Sequence, residues 1–264
     1  KALRAGFHMD FLLHVGPSHY PELFRTDNPY FSRKGTGEAS QFVAYYEKAR
    51  SISGSKGLIC IPSGNHDMCR IARHLDIQER KIAFAFILSM PGAPFIYYGD
   101  EIGLRHVENL VSVEGGYDRT GARTPMQWDS SPNAGFSTAA AEHLYIRQDA
   151  SQDRPLAEEE VKKADSLYAE IQRLIALRLE HEPLQSNADI KFISGHEKKS
   201  PLVYLRSGTT GKILCAINPG PKQAAVKTPA LAAHKTLYTC GKEAVLSGGT
   251  LTLPPESATF IQVQ

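Results

Sequence analysis

The sequence predicts a mixed fold, in which a parallel α/β segment is followed by an antiparallel β-sandwich. Two short apolar runs, residues 58–62 and 94–99, each end in polar residues, and a helix-like segment separates them. A strand, a crossover helix and a second strand place such polar clusters at the carboxyl ends of parallel strands. From residue 190 the hydrophobic period changes to short alternating runs, typical of a sandwich. We therefore expect an α/β part over residues 1–186 and a sandwich over residues 187–264.

The residues before the first apolar run predict one strand and two helices. Residues 5–15 are mostly apolar and predict a buried strand that carries Asp10. Residues 17–25 predict a short helix and residues 37–50 a longer one, with aromatic side chains on one side. The crossover helix is expected over residues 77–90, and its apolar residues point in all directions, so both of its faces should be covered.

Residues 104–160 differ from the rest of the chain, because they are rich in Gly, Ser, Asp, Asn and Pro. A loop of this length in a compact domain is usually functional or disordered. It contains Trp128, the single tryptophan of the chain, which favours an ordered and functional loop.

The last helix and the strands follow from periodicity. Residues 161–182 carry apolar side chains at helical spacing, residues 158–160 supply acidic groups for the first turn, and Pro183 ends the helix. The predicted strands are residues 190–194, 201–207, 212–218, 224–228, 235–240, 249–253 and 258–264.

Composition excludes several classes of protein. The 264 residues carry a net charge of +2 without a basic stripe, which argues against nucleic acid as a partner. The longest apolar stretch, residues 82–98, is interrupted by two prolines and is too short to span a membrane. The four cysteines have no metal-like spacing, which favours a reducing, cytoplasmic location, although a contact between Cys215 and Cys240 stays open. We expect no metal and no cofactor.

The cluster Asn65-His66-Asp67 allows three interpretations: a polar turn, a metallophosphoesterase site or a glycoside hydrolase site. A two-metal phosphoesterase needs further ligands upstream and downstream, and they are missing here. Glycoside hydrolysis uses carboxylates around one sugar ring, and an Asp beside a His donor suits the binding of ring hydroxyls. The residues favour the last of these interpretations over the second.

Three ordered motifs resemble the α-amylase/α-glucosidase family of glycoside hydrolases. They are Asn65-His66-Asp67, residues 90–103 (MPGAPFIYYGDEIG) and residues 122–129 (ARTPMQWD) followed by 133–137 (NAGFS). The last motif is similar to the branch that contains oligo-1,6-glucosidases, α-glucosidases and trehalose synthases. The resemblance implies the C-terminal portion of a (β/α)8 TIM barrel, about strands 6 to 8, and a C-terminal β-sandwich.

The resemblance also implies roles for single residues. Asp67 would be the catalytic carboxylate that stabilises the transition state, and His66 would donate to the sugar. Arg70 matches a substrate-contacting position, with a surface arginine as the alternative, and Asn65 would bind substrate or shape the turn. Asp100 and Glu101 are expected to be structural. Arg123 and Trp128 would either line the substrate pocket or anchor the long loop by packing, and we favour the second role.

The chain departs from the family in one respect. The family's nucleophilic Asp, in a Gly-x-Arg-x-Asp context, and its acid Glu have no counterpart in these residues. We therefore expect part of a retaining enzyme that acts on α-glucosides or oligosaccharides, inactive as an isolated chain. Its partner would be the missing N-terminal half of the barrel or another copy. The alternative is a non-catalytic relative that binds carbohydrate or packs against a partner.

Overall fold

The computed structural model describes residues 11–13 (backbone only), 19–54, 57–198 and 201–264. Within them, strand β1 (Phe11–Leu13) pairs in parallel with β2 (Leu58–Cys60), with Phe11 opposite Leu58. The remainder of the predicted strand over residues 5–15, including Asp10, lies outside the described residues. Helices α1 (Pro21–Phe24) and α2 (Ser40–Ser53) connect the two strands.

The predicted strand over residues 94–99 is wrong. Only one residue of that run pairs, through an isolated parallel bridge between Phe95 and Pro62. Pro94 has no N–H to donate, and the Tyr97 N–H donates to Ser63 Oγ (2.9 Å) instead of to a neighbouring strand. The chain therefore continues beside the end of β2 without a regular ladder.

Helix α3 (Ile77–Ser89) confirms the predicted crossover helix. Its N-terminus has a capping box, in which the Glu79 N–H donates to Asp76 Oδ1 (3.0 Å) and the Asp76 N–H donates to Glu79 Oε2 (2.7 Å). Every residue from Ile82 to Ser89 is buried, as the apolar sequence predicts for a helix that is covered on both faces.

Residues 104–160 form an ordered loop of short 3-10 turns that ends in helix α4 (Ala157–Glu160). The last long helix, α5 (Leu167–Glu180), starts later than predicted, because the Ser166 side chain caps it by accepting from the Ala169 N–H (3.1 Å). The acidic residues 158–160 therefore belong to α4, not to the first turn of α5.

The C-terminal residues form two antiparallel sheets. Strand β3 (Asp189–Ser194) begins a five-stranded sheet with the order β3-β4-β5-β10-β7, and the other sheet has the order β6-β9-β8. The remaining strands are β4 (Leu202–Gly208), β5 (Gly211–Asn218), β6 (Ala224–Lys227), β7 (Ala233–Cys240), β8 (Val245–Ser247), β9 (Thr250–Leu253) and β10 (Ser257–Val263). The sequence patterns predict seven of these strands and miss β8.

One hydrophobic core joins the helices to the larger sheet. Phe86 of α3 packs edge-on against Tyr204 of β4, with ring centroids 6.4 Å apart, and Leu174 of α5 belongs to the same cluster. A second cluster, around Leu214 and Leu251, lies between the two sheets. All four cysteines are buried and free, so Cys215 and Cys240 form no disulfide. Among the described residues no helix combines the length and the apolar character that crossing a bilayer requires.

Candidate active site

The Asn65-His66-Asp67 turn follows β2 and lies at the surface. The Asp67 N–H donates to Asn65 Oδ1 (2.8 Å), so the Asn65 side chain shapes the turn, the second role that we considered for it. The Asp67 side chain is 56% exposed and that of His66 is 70% exposed. The geometry therefore presents a carboxylate and an imidazole together to the solvent.

Three cationic or potentially cationic groups surround the Asp67 carboxylate. His66 Nε2 lies 3.3 Å from Oδ2, while Arg119 Nη1 and Arg123 Nη2 lie 3.4 and 3.3 Å from Oδ1. The Arg123 Nε–H also donates to the carbonyl oxygen of His66 (2.7 Å). Arg123 is 24% exposed and Arg119 is 46% exposed, so Arg123 is the more firmly held of the two.

Arg70 is neither a surface arginine nor positioned to touch a substrate, which corrects both roles expected for it. Its side chain is fully buried and pairs with Asp100, with 3.0 Å between Nη1 and Oδ1. Nη1 also donates to the carbonyl oxygen of Tyr98 (2.7 Å), and the guanidinium lies 4.9 Å from both the Tyr97 and Tyr98 ring centroids. Arg70 therefore supports the site from inside the fold.

Asp100 confirms the structural role expected for it. It is 1% exposed and accepts from the Ser63 hydroxyl (2.7 Å) as well as from Arg70. Because Ser63 immediately precedes the Gly64-Asn65 turn, this buried carboxylate fixes the point where the turn begins. Burial raises the pKa of the neighbouring Glu101.

Arg25 is a supporting residue that sequence reasoning missed. Its Nε–H donates to the Cys69 carbonyl oxygen (2.8 Å), and Nη2 donates to the Ser63 carbonyl oxygen. These two carbonyls flank the Asn65-His66-Asp67 turn on both sides. The only sequence signal was a basic residue at the end of a short helix, and it does not reveal partners about forty residues away.

The long loop contacts the site through residues 122–124. The Tyr97 hydroxyl donates to the Ala122 carbonyl oxygen (3.3 Å), and the Tyr98 hydroxyl donates to that of Thr124 (2.7 Å). Arg123 thus anchors the loop to the site turn by hydrogen bonds and an ion pair. The packing expected for Trp128 is wrong, because this residue is 51% exposed.

The chemistry of this arrangement is that of polar recognition. A solvent-facing carboxylate accepts hydrogen bonds from hydroxyl groups, and the adjacent imidazole and guanidinium groups donate them. Over the described part of the chain, no group of three or more His, Cys, Asp or Glu side chains has an arrangement that could hold a metal ion.

Comparison with known proteins identifies the class. The family model described as alpha amylase, catalytic domain, matches residues 18–187. The chain belongs to this family of glycoside hydrolases. The metallophosphoesterase interpretation is thereby excluded.

Two curated relatives and one solved structure illustrate the match. Trehalose synthase/amylase TreS of Mycobacterium tuberculosis is 34% identical over 157 residues, which are 56% of this chain and 25% of the relative. Glucan 1,6-alpha-glucosidase of Streptococcus pneumoniae is 29% identical over 187 residues, 58% of this chain and 34% of the relative. The chain therefore spans about a quarter to a third of these relatives.

The fold resembles that of trehalulose synthase MutB from Pseudomonas mesoacidophila MX-45. The TM-score is 0.73 at 20% identity, and the match covers 95% of this chain and 54% of MutB. At this identity the likeness shows the fold alone.

Proposed function

We propose that this chain contributes the sugar-anchoring part of an active site that processes α-glucosides with retention of configuration. The observation that supports it is the exposed Asp67 carboxylate, which Arg119, Arg123 and His66 surround. TreS and the glucan 1,6-alpha-glucosidase carry names that denote action on α-glucosides, and the chain shares their family.

In this proposal the chain's own residues bind and orient the sugar. Asp67 accepts hydrogen bonds from ring hydroxyls, and these bonds strengthen as positive charge develops on the ring in the transition state. His66 donates to the same ring, and Arg123 holds the carboxylate in place. Arg119 is the more exposed cation, so it is the contact that a bound sugar displaces. A nucleophilic Asp and an acid Glu would come from outside these 264 residues.

The proposal assigns β1, β2 and the segment around Phe95 to strands 6, 7 and 8 of a (β/α)8 barrel. The parallel pairing of β1 with β2 and the bridge from Pro62 to Phe95 support this order. It places the barrel part in residues 1–186 and the sandwich in residues 187–264. The four free cysteines agree with a reducing, cytoplasmic location, which is part of the same proposal.

An apolar groove beside the Phe95 segment supports the missing N-terminal half of the barrel as the partner. Its volume is about 400 Å³, and Ile96, Tyr98, Tyr168, Ile171 and Ile175 line it. Since three strands cannot close a barrel, an upstream strand and helix would cover this edge. Sedimentation of the purified chain tests the idea. A compact monomer that stays soluble contradicts it, and a defined dimer assigns the groove to another copy.

The central experiment is a titration of the chain with trehalose, isomaltose and sucrose, followed by NMR. We expect weak binding of at least one α-glucoside, and Asp67→Asn should weaken it at least about tenfold because it removes a charged acceptor. Asp153→Asn is the matched control, because Asp153 also pairs with an arginine on the long loop. Shifts that are confined to other residues, or that are identical in Asp67→Asn, contradict the anchoring role.

A turnover assay tests the incomplete site separately. The purified chain should not hydrolyse a chromogenic α-glucoside, because these residues lack the nucleophile and the acid. Turnover that persists in Asp67→Ala but disappears on further purification indicates contamination and leaves the prediction standing. Turnover that follows the chain and is lost in Asp67→Ala overturns it. Failure to bind any sugar favours the alternative, a non-catalytic relative that packs against a partner.

A further inference from the structure

We propose that Tyr97 and Tyr98 are positioning residues, which hold Arg123 against Asp67 through the carbonyl groups of its two neighbours, Ala122 and Thr124. The importance of this contact for sugar binding rests on the proposed function. The positioning itself does not, and it has its own measurement.

The two hydroxyl groups act on both sides of one residue. Tyr97 donates to the carbonyl oxygen of Ala122 (3.3 Å), and Tyr98 donates to that of Thr124 (2.7 Å). The backbone on either side of Arg123 is therefore fixed to Tyr97 and Tyr98, which follow the bridge between Phe95 and Pro62. A single bond would leave the loop free to pivot, whereas two bonds that flank one residue also define its orientation.

The tyrosines themselves have little freedom. Their rings contact each other edge-on, with centroids 4.7 Å apart, and the buried Arg70 guanidinium lies 4.9 Å from each ring centroid. The Tyr97 N–H donates to Ser63 Oγ, and the Asp100 N–H donates to the Tyr97 carbonyl oxygen (3.0 Å). Burial raises the pKa of the Tyr97 hydroxyl, so this group remains a protonated donor.

Arg123 transmits this positioning to the site. Its Nε–H donates to the His66 carbonyl oxygen (2.7 Å), while Nη2 lies 3.3 Å from Asp67 Oδ1. The planar guanidinium makes both contacts at once, so a shift of its backbone disturbs the turn and the carboxylate together. Arg119, which also faces Asp67, lies outside the pair of fixed carbonyls.

Conservative variants separate the hydroxyl groups from the rings. Tyr97→Phe and Tyr98→Phe keep the stacking on Arg70 and remove one donor each. The primary readout is solvent exchange of the Arg123 Nε–H proton, measured by NMR on the full chain without sugar. Loss of one hydrogen bond should accelerate this exchange about fivefold. The effect should be larger for Tyr98→Phe, whose bond is shorter, and largest in the double variant.

Tyr238→Phe is the matched control, because Tyr238 is a buried tyrosine of the sandwich that donates to Glu170. It should lower stability without changing exchange at Arg123. Equal exchange in the parent chain and the double variant, or an equal acceleration in Tyr238→Phe, overturns the proposal. If Tyr98→Phe does not fold, Tyr97→Phe carries the same test.

The sugar titration keeps the two proposals apart. If the chain binds an α-glucoside, Tyr98→Phe should weaken binding about fivefold, and Arg123→Gln at least as much. Accelerated Arg123 exchange in a chain that binds no sugar supports the positioning and contradicts the proposed function. Unchanged Arg123 exchange in the variants of a chain that binds sugar supports the proposed function and contradicts the positioning.

Discussion

Arg178 of α5 and Arg206 of β4 bind consecutive carbonyl groups at the end of helix α3. Arg178 donates to the carbonyl oxygens of Leu88 (2.7 Å) and Met90 (2.8 Å), and Arg206 donates to that of Ser89. The carboxyl end of a helix carries partial negative charge, which buried cations stabilise. Burial lowers the pKa of both guanidinium groups, that of Arg178 to about 10.

The first prediction concerns this pair of arginines. Arg178→Met should lower the free energy of unfolding by about 3 kcal/mol, because it leaves buried carbonyl groups without donors. Urea denaturation measures the loss. Arg147→Met, at an exposed arginine, should change stability by less than about 0.5 kcal/mol. Similar small losses in both variants would show that the carbonyl contacts contribute little.

The second prediction concerns the buried pair of Arg70 and Asp100. Asp100→Asn should destabilise the chain by about 3 kcal/mol, since it leaves a fully buried guanidinium without its counter-charge. Asp118→Asn provides the control, because Asp118 pairs with Arg73 at the surface. That change should cost less than about 1 kcal/mol. Equal urea midpoints for the two variants would contradict the supporting role of the buried pair.

The third prediction concerns Gly92, which has φ +94° and lies against β2. A Cβ atom at this position would be 2.0 Å from the Ile59 carbonyl oxygen, so Gly92→Ala forces the backbone to move. We expect a loss of more than about 3 kcal/mol or failure to fold. Gly248→Ala is the matched control, because Gly248 also has a positive φ (+55°) but has nothing within 4 Å of the added atom. Thermal melts measure the stability of both variants, and equal losses would contradict the close approach of Gly92 to Ile59.

The fourth prediction concerns pH. Burial, followed by the neighbouring Arg73, lowers the pKa of His106, while Glu108 and Asp118 act in the opposite direction. Below about pH 6.5 the unfolded chain therefore binds a proton at His106 that the folded chain does not, so the contribution of His106 to stability falls as the pH decreases.

Urea midpoints between about pH 7 and about pH 5 measure this slope. His106→Gln should flatten it, whereas His143→Gln, at an exposed position, should leave it unchanged. An equal slope in the parent chain and in His106→Gln would contradict the assignment.

The fifth prediction applies to a longer protein that contains this chain together with a nucleophile and an acid. Asp67→Ala should lower kcat by about 10² to 10³, the usual cost of one preorganised contact to a transition state. Steady-state kinetics with an α-glucoside provide the measurement. An unchanged kcat would remove Asp67 from the mechanism.

Local patterns predicted the helices and the sandwich well. Helix α3 was predictable because its capping residues, Asp76 and Glu79, and its apolar run lie within one continuous segment. The start of α5 was harder to predict, because several residues before Leu167 continue the helical period. Only the Ser166 cap shows that the helix begins after them. The error at residues 94–99 also comes from a side chain that bonds to the backbone. The Ser63 hydroxyl accepts from the Tyr97 N–H, which a neighbouring strand would otherwise use.

The candidate site shows where sequence reasoning ends. The family motif selects Asp67 and His66 as candidates, and their roles stay predictions, but spacing alone did not distinguish a surface Arg70 from a buried one. Its partner, Asp100, lies 30 residues further along the chain, and the contact depends on how the two segments pack. Arg25 escaped prediction for the same reason.

The bonds from Arg206 to the end of α3 have a consequence for dissection of the chain. A truncation before β3 would remove both Arg206 and Tyr204. Helix α3 would then lose the donor to its last carbonyl group, and Phe86 would lose the aromatic ring that packs against it. The helices therefore depend on the sandwich for their stability and should not fold without it. Heating should melt both in one cooperative step.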